Sequence, residues 1–173
     1  MVIWLIGLSA AGKTTVAREL IDRLREQHDG VVLLDGDELR EVWGDDLGHT
    51  VDDRRRNARR VSHLCRLLDR QGIHVVAAIL SMFPEWQAWN RRELSGYFEV
   101  FLDVPMDELA RRDPKGLYAA VRTGRTTGVV GVDIPFPPPL HADLVLRPPE
   151  VLELPNSIAS RILAALPSPA PAR

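Results

Sequence analysis

The segment Gly7-Leu-Ser-Ala-Ala-Gly12-Lys13-Thr14 decides how the first part of this chain folds and what it binds. It follows an unbroken apolar run, Val2–Ile6, and precedes a segment with apolar residues at helical spacing, which indicates a strand–loop–helix unit. The segment matches the pattern G-x-x-x-x-G-K-[ST] at every fixed position. Glycines in such a loop let backbone N–H groups close around phosphate oxygens, and the start of the following helix adds positive potential. The sequence therefore predicts a phosphate-binding loop.

The last two residues of this motif, Lys13 and Thr14, carry side chains that can bind a nucleotide and its metal ion. Lys13 carries a compact positive charge for the β- and γ-phosphates of a nucleotide, and the Thr14 hydroxyl is predicted to help hold Mg²⁺. A chance glycine-rich loop is the alternative, and the strand and helix on either side argue against it. The residues predicted to bind the phosphates of ATP are Gly7, Ser9, Ala10, Ala11, Gly12, Lys13, Thr14 and Thr15.

Four further short apolar runs alternate with helical patterns along the chain. They are rich in Val, Ile and Leu without strict alternation, as expected of strands that are covered on both faces. Such an order predicts an α/β domain with a parallel sheet, helices on both faces and right-handed crossovers. The runs are Val31–Leu34, Ile73–Leu80, Phe98–Leu102 and Leu144–Leu146.

The length of 173 residues is that of one domain. The spacing of Ile158, Ile162 and Leu166 predicts a last helix that packs on the sheet, so the domain is placed at residues 1–166. The remaining residues, 167–173, read PSPAPAR and are predicted to be a disordered, proline-rich tail.

Composition restricts the classes of function. The chain has 45% hydrophobic and 27% charged residues, which is typical of a globular protein, and its net charge of −2 gives no support for nucleic-acid or membrane binding. The single cysteine, Cys65, excludes an internal disulfide and favours a reducing compartment. With neither a signal-peptide pattern nor an apolar run of about 20 residues, the sequence predicts a cytoplasmic protein.

Two carboxylates, Asp35 and Asp37, follow the second predicted strand. The carboxyl edge of a parallel sheet is where open α/β proteins bind ligands. Carboxylates at that edge can hold Mg²⁺ through water or accept a proton from an attacking hydroxyl. The alternative is an Asx-turn that caps a helix beginning near Glu38. Next to a phosphate-binding loop, the functional interpretation is favoured.

Helical geometry divides the arginine-rich segment 53–60. At about 100° per residue, Arg54 and Asn57 extend the apolar stripe of the helix that follows. Buried polar groups need partners, so these two side chains are predicted to face a site with an anionic ligand. An ion pair of Arg54 with Asp52 or Glu38 is the alternative. The arginines predicted to be solvated or paired locally are Arg55, Arg56, Arg59 and Arg60.

Five segments, taken together, resemble the adenylylsulfate kinases, which transfer the γ-phosphoryl group of ATP to the 3′-hydroxyl of adenylylsulfate. The family motifs are GLSxxGK[ST]T, D-G-D-x-x-R, D-R-x-x-N-x-R-R-V, R-D-P-K-G-L-Y and G-[IV]-D-x-P. A lone phosphate-binding loop would identify only nucleotide binding, whereas this ordered set identifies the family. The corresponding segments here are Gly7–Thr15, Asp35–Arg40, Asp53–Val61, Arg112–Tyr118 and Gly131–Pro135.

The resemblance implies a P-loop kinase fold, a five-stranded parallel sheet in the order 2-3-1-4-5, with ATP and Mg²⁺ as cofactors and a small nucleotide as the acceptor. It implies catalytic roles for Lys13, Asp37 and Ser81, and Ser81 matches a family serine that can carry phosphate. It assigns the metal to Thr14 and Asp37. The residues that it assigns to the acceptor are Asp35, Arg40, His49, Arg54, Asn57, Lys115 and Val129.

The sequence departs from the family where the adenine of the acceptor would stack. His49 and Val129 stand at the positions of two family phenylalanines, and stacking of a base on an aromatic side chain contributes about 1–3 kcal/mol. After the third strand, Trp86 and Trp89 share one helix face. They are predicted either to pack in the core or to reshape the acceptor pocket.

Alternative functions therefore stay open at this point. One is a kinase of the same family that acts on another nucleotide, such as cytidine diphosphoramidate in surface-polysaccharide modification. Another is an ATP-binding regulatory module, against which the retained Lys13, Asp35 and Asp37 argue. A nucleic-acid-binding role rests only on the arginine run and conflicts with the net charge. The sequence says nothing firm about oligomeric state, and a homodimer stays open.

Overall fold

The computed structural model describes residues 1–44 and 46–167. Within these residues, five parallel strands form one sheet in the order β2-β3-β1-β4-β5, so the predicted fold class and strand order are confirmed. The third strand is shorter than predicted, and the others lie within one residue of their predicted bounds. The strands are β1 (Val2–Ile6), β2 (Val31–Asp35), β3 (His74–Ala78), β4 (Tyr97–Leu102) and β5 (Leu144–Leu146).

Helices cover both faces of this sheet. The last of them packs on the sheet through Ile158 and Ile162, as their spacing predicts. No helix in the described part of the chain is both long and apolar enough to cross a membrane. The predicted tail, except for Pro167, lies outside the described residues. The helices are α1 (Lys13–Arg25), α2 (Gly36–Trp43), α3 (Val51–Arg70), α4 (Pro84–Glu93), α5 (Met106–Arg112), α6 (Leu117–Arg122) and α7 (Pro155–Ala165), with a 3₁₀ turn at Glu150–Leu152.

Strand β1 lies at the centre of the sheet and is buried at all five positions. Its side chains alternate between two hydrophobic clusters because successive residues of a strand point to opposite faces. Ile3 and Leu5 pack in the cluster that contains the apolar faces of α1 and α7. Trp4 and Ile6 pack in the cluster that contains the apolar face of α3. Burial of each large apolar side chain contributes about 1.5–3 kcal/mol, so these two layers hold the carboxyl edge of the sheet in place.

Trp86 and Trp89 pack helix α4 against helix α3. Their ring centroids lie 5.6 Å apart, and His63 of α3 contacts both rings, with its centroid 4.8 Å from that of Trp89. The Arg66 guanidinium lies over the Trp89 ring, 5.7 Å from its centroid. The two tryptophans therefore have the packing role, the first of the two predicted for them, and neither lines the pockets described below.

Candidate active site

The phosphate-binding loop joins β1 to α1 with backbone conformations that an extended or helical chain would not provide. Gly12 has a φ of 87°, in the left-handed region that glycine adopts without strain, and Lys13 begins α1 immediately after it. Ala10 is also left-handed, with a φ of 64°. The loop thus turns back over the start of α1, where backbone N–H groups are free to bind an anion.

The Lys13 side chain folds back toward the first residues of this loop. Its ammonium donates hydrogen bonds to the carbonyl oxygens of Gly7, at 2.8 Å, and Leu8, at 2.9 Å. Burial lowers the pKa of Lys13 to about 8, although the nearby carboxylates of Asp35 and Asp37 act in the opposite direction. The lysine therefore places a positive charge beside the phosphate-binding loop, and its pKa lies close to the physiological range.

Asp35 joins the loop to the second strand. Its Oδ2 accepts a 2.5 Å hydrogen bond from the Thr14 hydroxyl, and its Oδ1 accepts one of 2.8 Å from the Asp37 backbone N–H. Asp35 is therefore the N-cap of α2, as the alternative interpretation of this segment predicts. The first contact joins the Asp35 carboxylate to Thr14, and Asp37 lines the same cleft as these two residues. Asp35 therefore caps α2 and also lies beside Thr14 of the phosphate-binding loop.

The oxygen atoms of Thr14, Asp35 and Asp37 suit a magnesium ion. Mg²⁺ in kinases keeps several waters and uses one or two carboxylates together with substrate phosphates, so a complete protein cage is not expected. Among the described residues there is no group of three or more histidine, cysteine or acidic side chains that could hold a metal. The Asp37 carboxylate forms an ion pair with Lys115, which reaches over from the segment before α6.

A cleft of about 630 Å³ extends from the phosphate-binding loop. Besides the predicted phosphate-binding residues, it is lined by Arg112 and by the segment from the 3₁₀ turn into α7. Sequence reasoning predicted only that α7 packs on the sheet and assigned this segment no role at the site, because its residues carry no motif and only the fold places them near the loop. Arg112 is held by a 2.6 Å ion pair with Glu108. The lining residues beyond the loop include Val151, Glu153, Pro155 and Ile158.

The segment Arg112–Tyr118 wraps against the loop. The Tyr118 hydroxyl donates a 2.9 Å hydrogen bond to the Ser9 carbonyl oxygen. The Asp113 carboxylate accepts hydrogen bonds from the backbone N–H groups of Tyr118 and Ala119 and so fixes the start of α6. This specific stretch of sequence thus has a structural task, which is to hold Lys115 and Arg112 at the cleft.

A second, smaller pocket adjoins the first and contains two arginines. Arg54 donates from Nε to the His49 carbonyl oxygen at 3.0 Å and from Nη2 to the Gly128 carbonyl oxygen at 3.1 Å. Arg40 donates to the Gly48 carbonyl oxygen at 3.1 Å. Burial, followed by the positive charge of Arg40, lowers the pKa of Arg54. The pocket is lined by Arg40, Arg54, Asn57, Ala58, Ile79, Leu80, Ser81, Met82 and Phe83.

Within the described residues, neither arginine of this pocket has an acidic partner. Arg40 and Arg54 make no ion pair with any described residue, so the alternative ion pair of Arg54 with Asp52 or Glu38 does not form. Two guanidinium groups that are bonded only to carbonyl oxygens keep most of their N–H donors and their full charge. The pocket is therefore suited to an anion.

The four arginines predicted to be solvated or paired locally behave as the helical phase predicts, since Arg59 is exposed and the other three form ion pairs. Arg55 pairs with Asp52 and Glu85, Arg56 with Asp53, and Arg60 with Asp46. The side chains of Arg55 and Arg56 are 50% and 62% exposed. Arg55 also lies over the Phe83 ring, 5.0 Å from its centroid. Asn57, by contrast, is only 6% exposed.

Three other residues predicted to bind the acceptor lie in different surroundings. His49 is exposed, and its pKa is lowered by partial burial and by the charges of Arg40 and Arg54. Val129 is 4% exposed and packs in the core, so its side chain has little surface to offer a ligand. Lys115 lies at the larger cleft rather than in the pocket.

Ser81 lines the arginine pocket with a left-handed backbone, at a φ of 52°. It is 7% exposed, and its carbonyl oxygen accepts a 2.9 Å hydrogen bond from the Gln87 side chain. Met82 and Phe83 follow it and also line the pocket, although sequence reasoning assigned them no role there. The signal that could have found them is their position a few residues after the carboxyl end of a parallel strand.

The comparisons with known proteins agree on one family. A family model described as adenylylsulphate kinase matches residues 1–147. An adenylyl-sulfate kinase of Paraburkholderia xenovorans (strain LB400) is 43% identical over 169 residues, which cover 95% of this chain and 92% of that protein. A cytidine diphosphoramidate kinase of Campylobacter jejuni is 40% identical over 149 residues, which cover 84% of this chain and 85% of that protein.

Among solved structures, the Mycobacterium tuberculosis APS kinase CysC in complex with AMPPNP and APS superposes with a TM-score of 0.86. It is 36% identical in sequence, and the match covers 95% of both chains. At this level of identity and coverage, the likeness extends over nearly the whole fold.

Proposed function

The chain belongs to the adenylylsulfate kinase family, and from this premise we propose that it transfers the γ-phosphoryl group of ATP to the 3′-hydroxyl of adenylylsulfate. In the proposal, the cleft at the phosphate-binding loop takes ATP, and the smaller arginine pocket, of about 40 Å³, binds an anionic part of the acceptor. The observation that carries it is that the two pockets adjoin, since Leu80 lines both of them. A donor and an acceptor bound there have their reacting groups side by side, as phosphoryl transfer requires.

The protein's part in this reaction is to position two anions and to neutralise charge. Lys13 is placed to contact the β- and γ-phosphates once they displace it from the Gly7 and Leu8 carbonyl oxygens. Thr14 and Asp37 would hold Mg²⁺, which neutralises phosphate oxygens when bound, and Asp35 keeps the Thr14 hydroxyl in place. Asp37 is also proposed to orient the acceptor hydroxyl. The catalytic role and the phosphorylation of Ser81 stay predictions.

A coupled ADP-release assay with a panel of nucleotide acceptors tests the proposal. Adenylylsulfate should support the highest kcat/KM, at about 10⁴ M⁻¹s⁻¹ or above, the ordinary range for enzymes. A higher value with a cytidine nucleotide would replace adenylylsulfate as the acceptor and keep the kinase chemistry. ADP release that does not depend on any acceptor would instead identify an ATP-hydrolysing module.

Substitution of His49 by phenylalanine should improve the use of adenylylsulfate. The change restores an aromatic face for the adenine at an exposed position, where base stacking contributes about 1–3 kcal/mol and histidine provides only part of it. We expect kcat/KM for adenylylsulfate to rise by a few fold up to about tenfold, with the KM for ATP unchanged. Val129→Phe is the contrasting variant, because overpacking a buried site costs about 1–3 kcal/mol of stability. A lower kcat/KM in His49→Phe would contradict the placement of His49 at the base.

Nucleotide affinity should fall at alkaline pH because of Lys13. Burial lowers its pKa to about 8, and phosphate oxygens beside the ammonium would raise it, so binding takes up a proton above that pH. The affinity is therefore fully present below about pH 8 and is lost, by up to about tenfold per pH unit, as the pH rises above it. Titration calorimetry with ADP at several pH values measures the effect. Lys13→Met should bind weakly and without this slope, and an equal slope in both proteins would assign the proton to another group.

A further inference from the structure

Trp43, the last residue of α2, contacts the arginine pocket indirectly through Asn57. Its indole Nε1 lies 3.0 Å from Oδ1 of Asn57 on α3. Asn57 is only 6% exposed and lines the pocket together with Arg40 and Arg54. Trp43 itself lies outside every motif by which the sequence was interpreted.

The hydrogen bond determines which end of the Asn57 amide faces the pocket. An indole N–H can only donate, so the atom that it contacts must be the amide oxygen. The amide nitrogen, with its two N–H donors, is left on the other side and makes no hydrogen bond with any described residue. Asn57 therefore presents donors to the pocket, as Arg40 and Arg54 do.

Without this contact, the local charges would favour the opposite orientation of the amide. The guanidinium groups of Arg40 and Arg54 have no acidic partner among the described residues, and a flipped Asn57 would turn its oxygen toward them. That oxygen would then compete with an incoming anion for the same donors. Trp43 is in turn held by Arg60, whose guanidinium lies 6.0 Å from the centre of the indole ring and is paired with Asp46.

We propose that Trp43 is a positioning residue for the acceptor: it holds the Asn57 amide so that the two Nδ2 protons, with Arg40 and Arg54, bind an anionic oxygen of the acceptor nucleotide. The inference rests on the proposed function, because it assumes that the arginine pocket takes the acceptor. It assigns a task to a residue that neither the motifs nor the pocket lining includes.

The variant Trp43→Phe tests the proposal, because it keeps an aromatic ring and removes the single N–H donor. We expect the KM for adenylylsulfate to rise roughly five- to twentyfold, which is less than the loss of a whole hydrogen bond to a charged group because the Asn57 amide stays in place. The kcat and the KM for ATP should stay within about twofold of wild type. Trp89→Phe is the matched control, because this half-buried tryptophan packs α4 on α3 away from both pockets. It should leave both KM values unchanged.

A double-mutant comparison separates positioning from general packing. Once Asn57 is alanine, removal of the Trp43 N–H should raise the acceptor KM no further, since the group that it orients is gone. Additive effects, equal changes in both KM values, or a Trp43→Phe variant that behaves as Trp89→Phe would each overturn the proposal. If wild-type protein does not use adenylylsulfate, the proposed function fails, and the same comparison is made with the acceptor that the panel identifies.

A measurement on the wild-type protein covers the case in which Trp43→Phe does not fold. The four tryptophans each give one indole N–H signal in a ¹⁵N-correlated NMR spectrum, assigned through single phenylalanine variants of the other three. The acceptor nucleotide alone should shift the Trp43 signal and leave that of Trp89 in place. An unchanged Trp43 signal at saturating acceptor would contradict the proposal.

Discussion

Substitution of Lys13 by alanine should lower kcat by about 10²–10³-fold, the usual cost of removing one preorganised charge from a transition state. The Lys13 ammonium lies at the phosphate-binding loop, within 2.9 Å of the carbonyl oxygens of Gly7 and Leu8. No other described lysine or arginine donates to these two oxygens. The transferred phosphoryl group develops charge at this place, so the loss should fall on the chemical step rather than on acceptor binding.

Two controls accompany this variant. Arg18 lies exposed on the same helix, with 67% of its side chain accessible, so Arg18→Ala should leave turnover unchanged. The melting temperature of Lys13→Ala should stay within a few degrees of wild type, because the lysine contributes hydrogen bonds to the loop and no core packing. Near wild-type turnover in a purified, folded Lys13→Ala protein would refute the assignment.

Alanine at Arg54 or Asn57 should raise the KM for the acceptor by about 10- to 100-fold and leave the KM for ATP nearly unchanged. Hydrogen bonds to charged groups contribute about 1.5–3 kcal/mol, which corresponds to this range. Both residues line the smaller pocket, and neither lines the nucleotide cleft. Steady-state kinetics with one substrate varied at a time measure the two KM values.

Arg56→Ala is the matched control for this experiment. Arg56 lies on the same helix between the two positions, and its side chain is 62% exposed and paired with Asp53. Arg56 lines neither pocket, so both KM values should stay within about twofold of wild type. Arg55 is a poorer control because its guanidinium covers Phe83, which lines the pocket. Equal effects at Arg54 and Arg56 would show that the assigned helix face is wrong.

Local periodicity predicted the features that depend on neighbours along the chain. The five strands follow from short apolar runs, and the phosphate-binding loop follows from its glycines between a strand and a helix. The separation of Arg54 and Asn57 from Arg55 and Arg56 follows from 3.6 residues per turn, a property of any α-helix. In each case the backbone geometry of one element is sufficient to decide the outcome.

Only the tertiary structure decided which distant side chains meet. The Thr14 hydroxyl bonds to Asp35, 21 residues away, and Arg54 bonds to the Gly128 carbonyl oxygen, 74 residues away. Val129 lies buried in the core and His49 is exposed, although both were predicted to face the acceptor. The sequence did not distinguish these two positions. Such contacts depend on how the elements pack in three dimensions, which no local pattern specifies.

The sequence by itself therefore determined the fold class, the phosphate-binding loop and the helix face that carries Arg54 and Asn57. The tertiary structure alone decided the partner of each polar group, and with it the orientation of the Asn57 amide by Trp43. The physical reason is that a periodic pattern specifies the direction of a side chain relative to its own element. The hydrogen-bond partner of a buried polar group is set by whichever element packs opposite to it.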